Sequence, residues 1–317
     1  MYIRFSKYKV LREKMKNIIA IDLGSNSLRM LKMNCETKEA VGEFHAMVKT
    51  ADGLAKRGVI GNAAKKRIVT AIEEAKKKLD FSDTTIKAVT TEAIRRAHNG
   101  QEILDSIESE TGVKFEVIDG DAEARYALIA AQNRLELLGV KPKSFMLADI
   151  GGASTELIFH YGNKTVSKSF SVGIVTVTQS FPSISEISDA IPAVMNPMKL
   201  FCAEVYAEHG KVEMFVATAG TPTTLAAMKH GMDYETYDAE KIHGTVLTHR
   251  DLIELLSRLL SMSIKEREVT VGVGREDLIA SGVLIYEELY NIGGFKESTV
   301  IDDGVREGVA YDGCAFS

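Results

Sequence analysis

The stretch Asp149-Ile150-Gly151-Gly152-Ala153-Ser154-Thr155-Glu156 decides how the rest of the chain is organised. It follows the apolar run 144–148 and precedes the apolar residues 157–159, so it predicts a strand, a tight glycine turn and a returning strand. Glycines allow a positive φ and leave the backbone bare, so a phosphate group can approach the N–H groups of the turn. Together with the hydroxyls and carboxylates, this inventory suits a phosphate and a divalent cation. Taken alone, the stretch is equally compatible with an ordinary hairpin.

The same pattern occurs near the start of the chain, where Asp22-Leu23-Gly24-Ser25-Asn26-Ser27 follows the apolar residues 18–21. A third glycine turn, containing Gly220 and Thr221, follows the apolar residues 214–216. It precedes a predicted helix at 221–229, whose first N–H groups suit an anion, although capping by threonines is the alternative. The repetition predicts two related halves, joined near residues 139–143.

These features resemble the actin, Hsp70 and sugar-kinase superfamily. Within that superfamily, the particular residues of the motifs resemble the exopolyphosphatase and guanosine pentaphosphate phosphohydrolase family, from about residue 17 to about residue 308. The motifs that carry this resemblance, in the family's order, are Gly-Ser-Asn-Ser at 24–27, Thr91-Glu92-Ala93-Ile94-Arg95-Arg96-Ala97, Glu123-Ala124-Arg125 and the stretch 149–156. The resemblance implies an α/β fold of two RNase H-like (actin-like ATPase) domains with an interdomain cleft. We expect the first domain at residues 1–138 and the second at 139–317, with the final helix free to pack back on the first.

The resemblance implies a hydrolase that releases terminal orthophosphate from inorganic polyphosphate or guanosine pentaphosphate. A kinase or an ATPase of the same superfamily, including a filament-forming one, is the alternative. Because basic surface is scarce, we expect a monomer to prefer short polyphosphates or guanosine pentaphosphate to long chains. A homodimer would change this expectation by joining two clefts.

The resemblance also implies roles for individual residues. Glu123 is expected to be the general base for water, although a glutamate in the first turn of a helix also serves as a cap. Asp22, Asp149 and Glu156 are expected to hold Mg²⁺, with Mn²⁺ as a substitute, and Glu156 also to place the metal or the water. The expected phosphate-binding residues are Gly24, Ser25, Asn26, Ser27, Arg95, Gly151, Gly152, Ala153, Ser154, Thr155, Gly220 and Thr221.

At two of these positions, Arg95 and Ala153, the neighbouring sequence bears on the expected role. Arg95 is preferred to Arg96 because it falls at the arginine of the family's T-x-A-x-R pattern, and its planar fork can hold two phosphate oxygens. Ala153 stands where the family usually has a third glycine. A methyl group is tolerable there if φ stays negative, but it narrows the space beside the phosphate.

Charge and composition exclude several classes of protein. The 317 residues carry 39 Lys and Arg against 44 Asp and Glu, a net charge of −5, which argues against a nucleic-acid binder or an anionic-membrane binder. No apolar run approaches the roughly 18–20 residues of a membrane span. The lysine-rich face of a predicted helix at 62–79 is either a solvated surface or a landing site for anions.

Cysteine usage and the start of the chain give the remaining expectations. Cys35, Cys202 and Cys314 are too few and too widely spaced for a disulfide framework or a C-x-x-C metal site, which favours a cytoplasmic protein. Residues 1–16 form a basic tail or a translated leader, with Met15 as a plausible start. Near the other end, predicted helices at 250–262 and 275–290 flank the turn Gly272-Val273-Gly274.

Overall fold

The first sheet is built on the hairpin whose turn contains Gly24. The computed structural model describes residues 17–315, so the expectations for the basic tail lie outside the described residues. Strand order is β3-β2-β1-β4-β5, with β1 antiparallel to β2 and parallel to β4. Its strands are β1 (Asn17–Leu23), β2 (Ser27–Asn34), β3 (Ala40–Met47), β4 (Thr84–Thr90) and β5 (Phe115–Val117).

The second sheet has the same central arrangement of strands, here built on the hairpin whose turn contains Gly151. Its order is β10-β11-β9-β6-β7-β8, and β6 is antiparallel to β7 and parallel to β9. All six residues of β6 are buried, as expected for a strand covered on both faces of the sheet. Its strands are β6 (Phe145–Ile150), β7 (Thr155–His160), β8 (Thr165–Phe170), β9 (Met214–Thr218), β10 (Thr245–Thr248) and β11 (Glu297–Val300). The prediction of two related α/β halves is confirmed.

Helices cover the outer faces of both sheets. Helix α2 buries its apolar residues, including Ile68 and Ile72, and turns its lysines to the other face, as its 3.6-residue period predicts. Within residues 17–315 the helices are α1 (Leu54–Arg57), α2 (Asn62–Leu79), α3 (Glu92–Arg96), α4 (Gly100–Thr111), α5 (Gly120–Leu137), α6 (Ile174–Ser180), α7 (Ile184–Val194), α8 (Asn196–His209), α9 (Gly220–Lys229), α10 (Ala239–Ile242), α11 (His249–Ser261), α12 (Ile264–Val271), α13 (Ile279–Gly293) and α14 (Val305–Ala315).

Two helices, α5 and α14, lie between the sheets and hold them together. The small residues Ala127 and Ala131 of α5 pack on the second sheet, in one cluster with Leu147 of β6. Val309 of α14 packs on the first sheet, in one cluster with Ile18 of β1. The final helix of the second half therefore contacts the first half directly, through both α5 and β1.

The structure corrects three expectations. Cys35 and Cys314 form a disulfide between the end of β2 and the last turn of α14, whereas we expected no disulfide framework; Cys202 is free and buried. Helix α12 and strand β10 were not predicted. The helix expected from residue 275 begins only at Ile279, because a loop with positive φ at Gly272 and Gly274 precedes it. No helix in the described part of the chain is long and apolar enough to cross a membrane.

Candidate active site

The turns of the two central hairpins have the same backbone geometry and face each other. In the first, the N–H of Gly24 donates to the carbonyl of Ser27 at 3.0 Å; in the second, the N–H of Gly151 donates to the carbonyl of Ser154 at 2.9 Å. The turns are in close contact, since a Cβ added to Gly152 would lie 2.9 Å from the Cβ of Ser25. The N–H groups of both turns therefore border one space.

That space is a cavity of about 120 Å³. It is smaller than the roughly 300–1,000 Å³ pockets that hold whole ligands, so its size suits a single phosphate group. The expected site residues that line it are Asp22, Gly24, Ser25, Asn26, Ser27, Glu123, Asp149, Gly151, Gly152, Ala153, Ser154 and Gly220. Motifs that are far apart in the sequence therefore come together around one cavity.

Glu123 lies in the first turn of α5 and is 7% exposed. It is not the cap of that helix, because the carboxylate of Asp119 accepts the N–H of Ala122 at 2.8 Å. Burial raises the pKa of Glu123 well above its usual value, and the neighbouring carboxylates of Glu156 and Asp149 raise it further. The side chain is therefore free to act in the cavity, and it has a high affinity for a proton.

The carboxyl groups of Asp22 and Asp149 at the cavity, and of Glu156 beside it, also have raised pKa values. Burial raises the pKa of Asp22 to about 7, with Asp149 adding to the shift and Arg29 opposing it. Burial likewise raises the pKa of Asp149 to about 6, against the effect of Arg29. Burial and then Asp149 raise the pKa of Glu156 to about 8. Carboxylates that repel one another in a buried space suit a bound cation.

The expected set of three metal ligands is not assembled. Asp22 and Asp149 line the cavity, but Glu156 does not; its carboxylate accepts the hydroxyl of Ser169 at 2.7 Å. Residues 17–315 contain no group of three or more His, Cys, Asp or Glu side chains placed to hold one ion. The donor set that fits a divalent cation is the pair of aspartates, which leaves coordination positions for phosphate oxygens and water.

Three expected phosphate-binding residues lie outside the cavity wall. The guanidinium of Arg95 donates to the Glu92 carboxylate at 2.8 Å and lies 3.4 Å from the Glu123 carboxylate. The hydroxyl of Thr155 donates to the carbonyl of Val172 at 2.7 Å. The hydroxyl of Thr221 is buried and has no hydrogen-bond partner within residues 17–315.

The two alanines beside the cavity differ in backbone conformation. Ala153 lines the cavity and does not have a positive φ, so the condition for tolerating its methyl group is met. Ala219, the residue before α9, has φ 73° and ψ −171°. This combination is normally restricted to glycine, so the third turn holds a strained alanine next to Gly220.

Sequence reasoning missed three basic residues that line the cavity: Arg29, His45 and Arg275. Arg275 donates to the carbonyl of Gly220 at 2.5 Å and to the hydroxyl of Thr224 at 2.7 Å. Its burial, together with nearby Arg29, lowers its pKa to about 10. None of the three belongs to a motif, but the position of Arg29 two residues after Ser27 on a predicted strand was an available signal.

The fold and the site together define a two-domain protein of the actin-like class with paired phosphate-type hairpins. The model of the Ppx/GppA phosphatase family matches residues 34–315, and the chain belongs to that family. Exopolyphosphatase 2 of Mycobacterium tuberculosis is 28% identical over 92% of this chain and 97% of its own length. The guanosine-5'-triphosphate,3'-diphosphate pyrophosphatase of Pseudoalteromonas translucida is 26% identical over 93% of this chain and 59% of its own. The solved structure of the Aquifex aeolicus PPX-GPPA enzyme has a TM-score of 0.72 and 29% identity, over 93% of this chain and 99% of that chain.

Proposed function

We propose that the chain hydrolyses phosphoanhydrides, with water as acceptor, and releases the terminal orthophosphate of inorganic polyphosphate or guanosine pentaphosphate. The observation that carries the proposal is the pair of facing glycine turns with the carboxylate of Glu123 on the same cavity wall. The names of the two relatives, an exopolyphosphatase and a guanosine-5'-triphosphate,3'-diphosphate pyrophosphatase, support the same class of substrate.

The two turns bind the terminal phosphate. Their N–H groups and the hydroxyls of Ser27 and Ser154 donate to its oxygens. Arg29 and Arg275, which line the same cavity, neutralise the charge that builds up on the phosphate and on the leaving group. Catalysis of phosphoryl transfer consists mainly of such positioning and charge stabilisation.

Glu123 positions the attacking water and accepts its proton. The water oxygen forms a bond to the terminal phosphorus while the bond to the bridging oxygen breaks, and the shortened chain leaves with that oxygen. The neighbouring Glu156 and Asp149 raise the proton affinity of Glu123, which favours this transfer. Arg95, 3.4 Å from the Glu123 carboxylate, limits that increase and keeps the ionised form accessible.

Asp22 and Asp149 are the residues that hold Mg²⁺, or Mn²⁺ in its place. Two carboxylates with raised pKa values and a phosphate chain form the hard oxygen donor set that this ion prefers. The bound ion supplies neutralisation of the phosphate charge and a template for its orientation.

The test is orthophosphate release from tripolyphosphate, long polyphosphate and guanosine pentaphosphate, with Mg²⁺ and no other acceptor. We expect release from at least one of them, and we expect Glu123→Gln to lower kcat by roughly 10²–10⁴ with little change in KM. Glu116→Gln, at an exposed position on β5, is the matched control and should have no effect. Release only when a sugar or carboxylate acceptor is added would contradict the proposal and indicate a kinase.

A further inference from the structure

A second, wider cavity adjoins the phosphate cavity. Its volume is about 330 Å³, and it shares Arg29, His45 and Arg275 with the smaller space. When the terminal phosphate of a substrate lies between the two turns, the rest of the phosphate chain must extend away from them. The second cavity offers space for it, because the same three basic side chains line both cavities. The remaining lining residues are Glu43, Thr223, Tyr234, Tyr237, Asp302 and Arg306.

The register of the first sheet explains how these side chains come together. Asp22 on β1 is directly opposite Arg29 on β2, and Arg29 is directly opposite His45 on β3. Residues opposite one another on neighbouring strands share a face of the sheet, so the three side chains form a row. His45 stands two strand spacings, roughly 9–10 Å, from the proposed metal ligand Asp22. It is therefore placed beyond the terminal phosphate.

We propose that His45 is a substrate-binding residue that donates a hydrogen bond to the phosphates behind the terminal one and becomes protonated as they enter. This inference rests on the proposed function, because it assumes a condensed phosphate in the cavity between the turns. It adds the specificity of the site: the contact is made with the phosphates behind the terminal one, so a substrate with three or more linked phosphates gains more from it than pyrophosphate does.

The charges around His45 explain why the ring is neutral before the substrate binds. His45 lies on the wall of the cleft and keeps contact with solvent, and no hydrogen bond or ion pair occupies its ring in the described part of the chain. Partial desolvation of the ring by the cleft walls, followed by the charges of Arg29, Arg275 and Arg306, lowers the pKa of His45 to about 3. The acidic and phenolic groups that also line this cavity are Glu43, Asp302, Tyr234 and Tyr237.

A polyphosphate chain reverses the local field. Its negative charges offset the three arginines, so the cost of a positive imidazole falls and the pKa of His45 rises on binding. Binding is then linked to proton uptake, and the substrate affinity decreases as the pH rises through the pKa of the bound histidine. A neutral side chain of similar size at this position retains the packing but loses this dependence.

The first experiment compares kinetics of the wild type with His45→Gln on tripolyphosphate and on pyrophosphate. At pH 6 we expect the KM for tripolyphosphate to rise roughly 10-fold, the usual effect of losing a charge-assisted hydrogen bond, with kcat unchanged. The difference should shrink at pH 8.5 and be smaller with pyrophosphate, which has only one phosphate behind the terminal one. His98→Gln, at an exposed histidine that lines neither cavity, is the matched control and should behave as the wild type.

The second experiment measures proton uptake when tripolyphosphate binds in the presence of Mg²⁺. It uses the slow Glu123→Gln background and calorimetry in two buffers with different heats of ionisation. At pH 6 we expect the protein with His45 to take up close to one proton more per bound tripolyphosphate than the protein with His45→Gln. His45→Lys, with a permanent charge, should restore a low KM without extra proton uptake.

Equal KM values and equal proton uptake for His45 and His45→Gln would overturn the inference while leaving the proposed function intact. No release of orthophosphate from any condensed phosphate by the wild type would refute the proposed function itself, and the inference with it. A rise in KM that is the same at pH 6 and pH 8.5 would indicate packing alone and would also overturn the inference.

Discussion

The buried carboxylates at the cavity predict that the metal-free protein becomes less stable as the pH rises. The pKa of Asp22 is about 7 in the folded protein, against an ordinary value of 3.8. Below pH 3.8 the carboxyl is protonated in both states, so it has no effect. Between these values the carboxyl ionises in the unfolded chain but stays protonated in the folded protein, which stabilises the unfolded state relative to the folded one. Above pH 7 the accumulated cost is the pKa difference times about 1.36 kcal/mol, or roughly 4 kcal/mol for this residue.

Asp22→Asn removes that cost, so we expect it to stabilise the metal-free protein while it impairs catalysis. The measurement is urea unfolding in chelator at pH 5 and pH 8. The variant should gain roughly 1–2 kcal/mol over the wild type at pH 5 and up to about 4 kcal/mol at pH 8. Asp105→Asn, at an exposed aspartate of α4, is the matched control and should show no pH-dependent gain.

Mg²⁺ provides the complementary test. It should raise the unfolding midpoint of the wild type, more at pH 8 than at pH 5, because the ion binds the ionised carboxylates of the folded state. The Asp22→Asn variant should respond much less. A wild type whose stability in chelator is the same at both pH values, or a variant that is less stable at pH 8, would refute the account of the site as a cluster of uncompensated charges.

The disulfide and the strained alanine give two further predictions. Cys314→Ser should lower the free energy of unfolding by about 5 kcal/mol in the chain-entropy account, because Cys35 and Cys314 are 279 residues apart; an unchanged urea midpoint would show that α14 is held by packing alone. Ala219→Gly should raise the free energy of unfolding by about 1 kcal/mol, since relief of about 1–3 kcal/mol of backbone strain exceeds the added entropy of glycine; a lower melting temperature would contradict that.

The centre of the fold could be predicted because its information is local. The apolar strands that precede Asp22 and Asp149, and the glycines that follow them, specify strand, turn and strand within about ten residues each. The missed elements have weaker local signals. Strand β10 has only four residues and owes its place to pairing with β11, which lies about fifty residues later in the chain.

The parts of the site that were missed depend on register and on distance through space. His45 lines the cavity because β3 pairs with β2 so that His45 meets Arg29, and a shift of one residue would turn it to the other face. Cys35 and Cys314 meet because α14 returns to the first sheet. Spacing along the chain says nothing about either encounter, which is why no disulfide framework was expected.

The repeated hairpins also show how one backbone unit serves two chemical tasks. Asp22 pairs across its hairpin with Arg29, and Asp149 pairs across the equivalent hairpin with Glu156, so the same position holds a guanidinium cation in one copy and a carboxyl group in the other. The cation stabilises ionised Asp22 and supplies positive charge to the cavity. The carboxyl group of Glu156 adds to the effect of burial, which raises the pKa of Glu123 and thereby its affinity for the proton of water. One wall of the cleft is thus suited to holding phosphate charge and the other to activating water, and that division of charge is what a hydrolase needs from two otherwise equivalent turns.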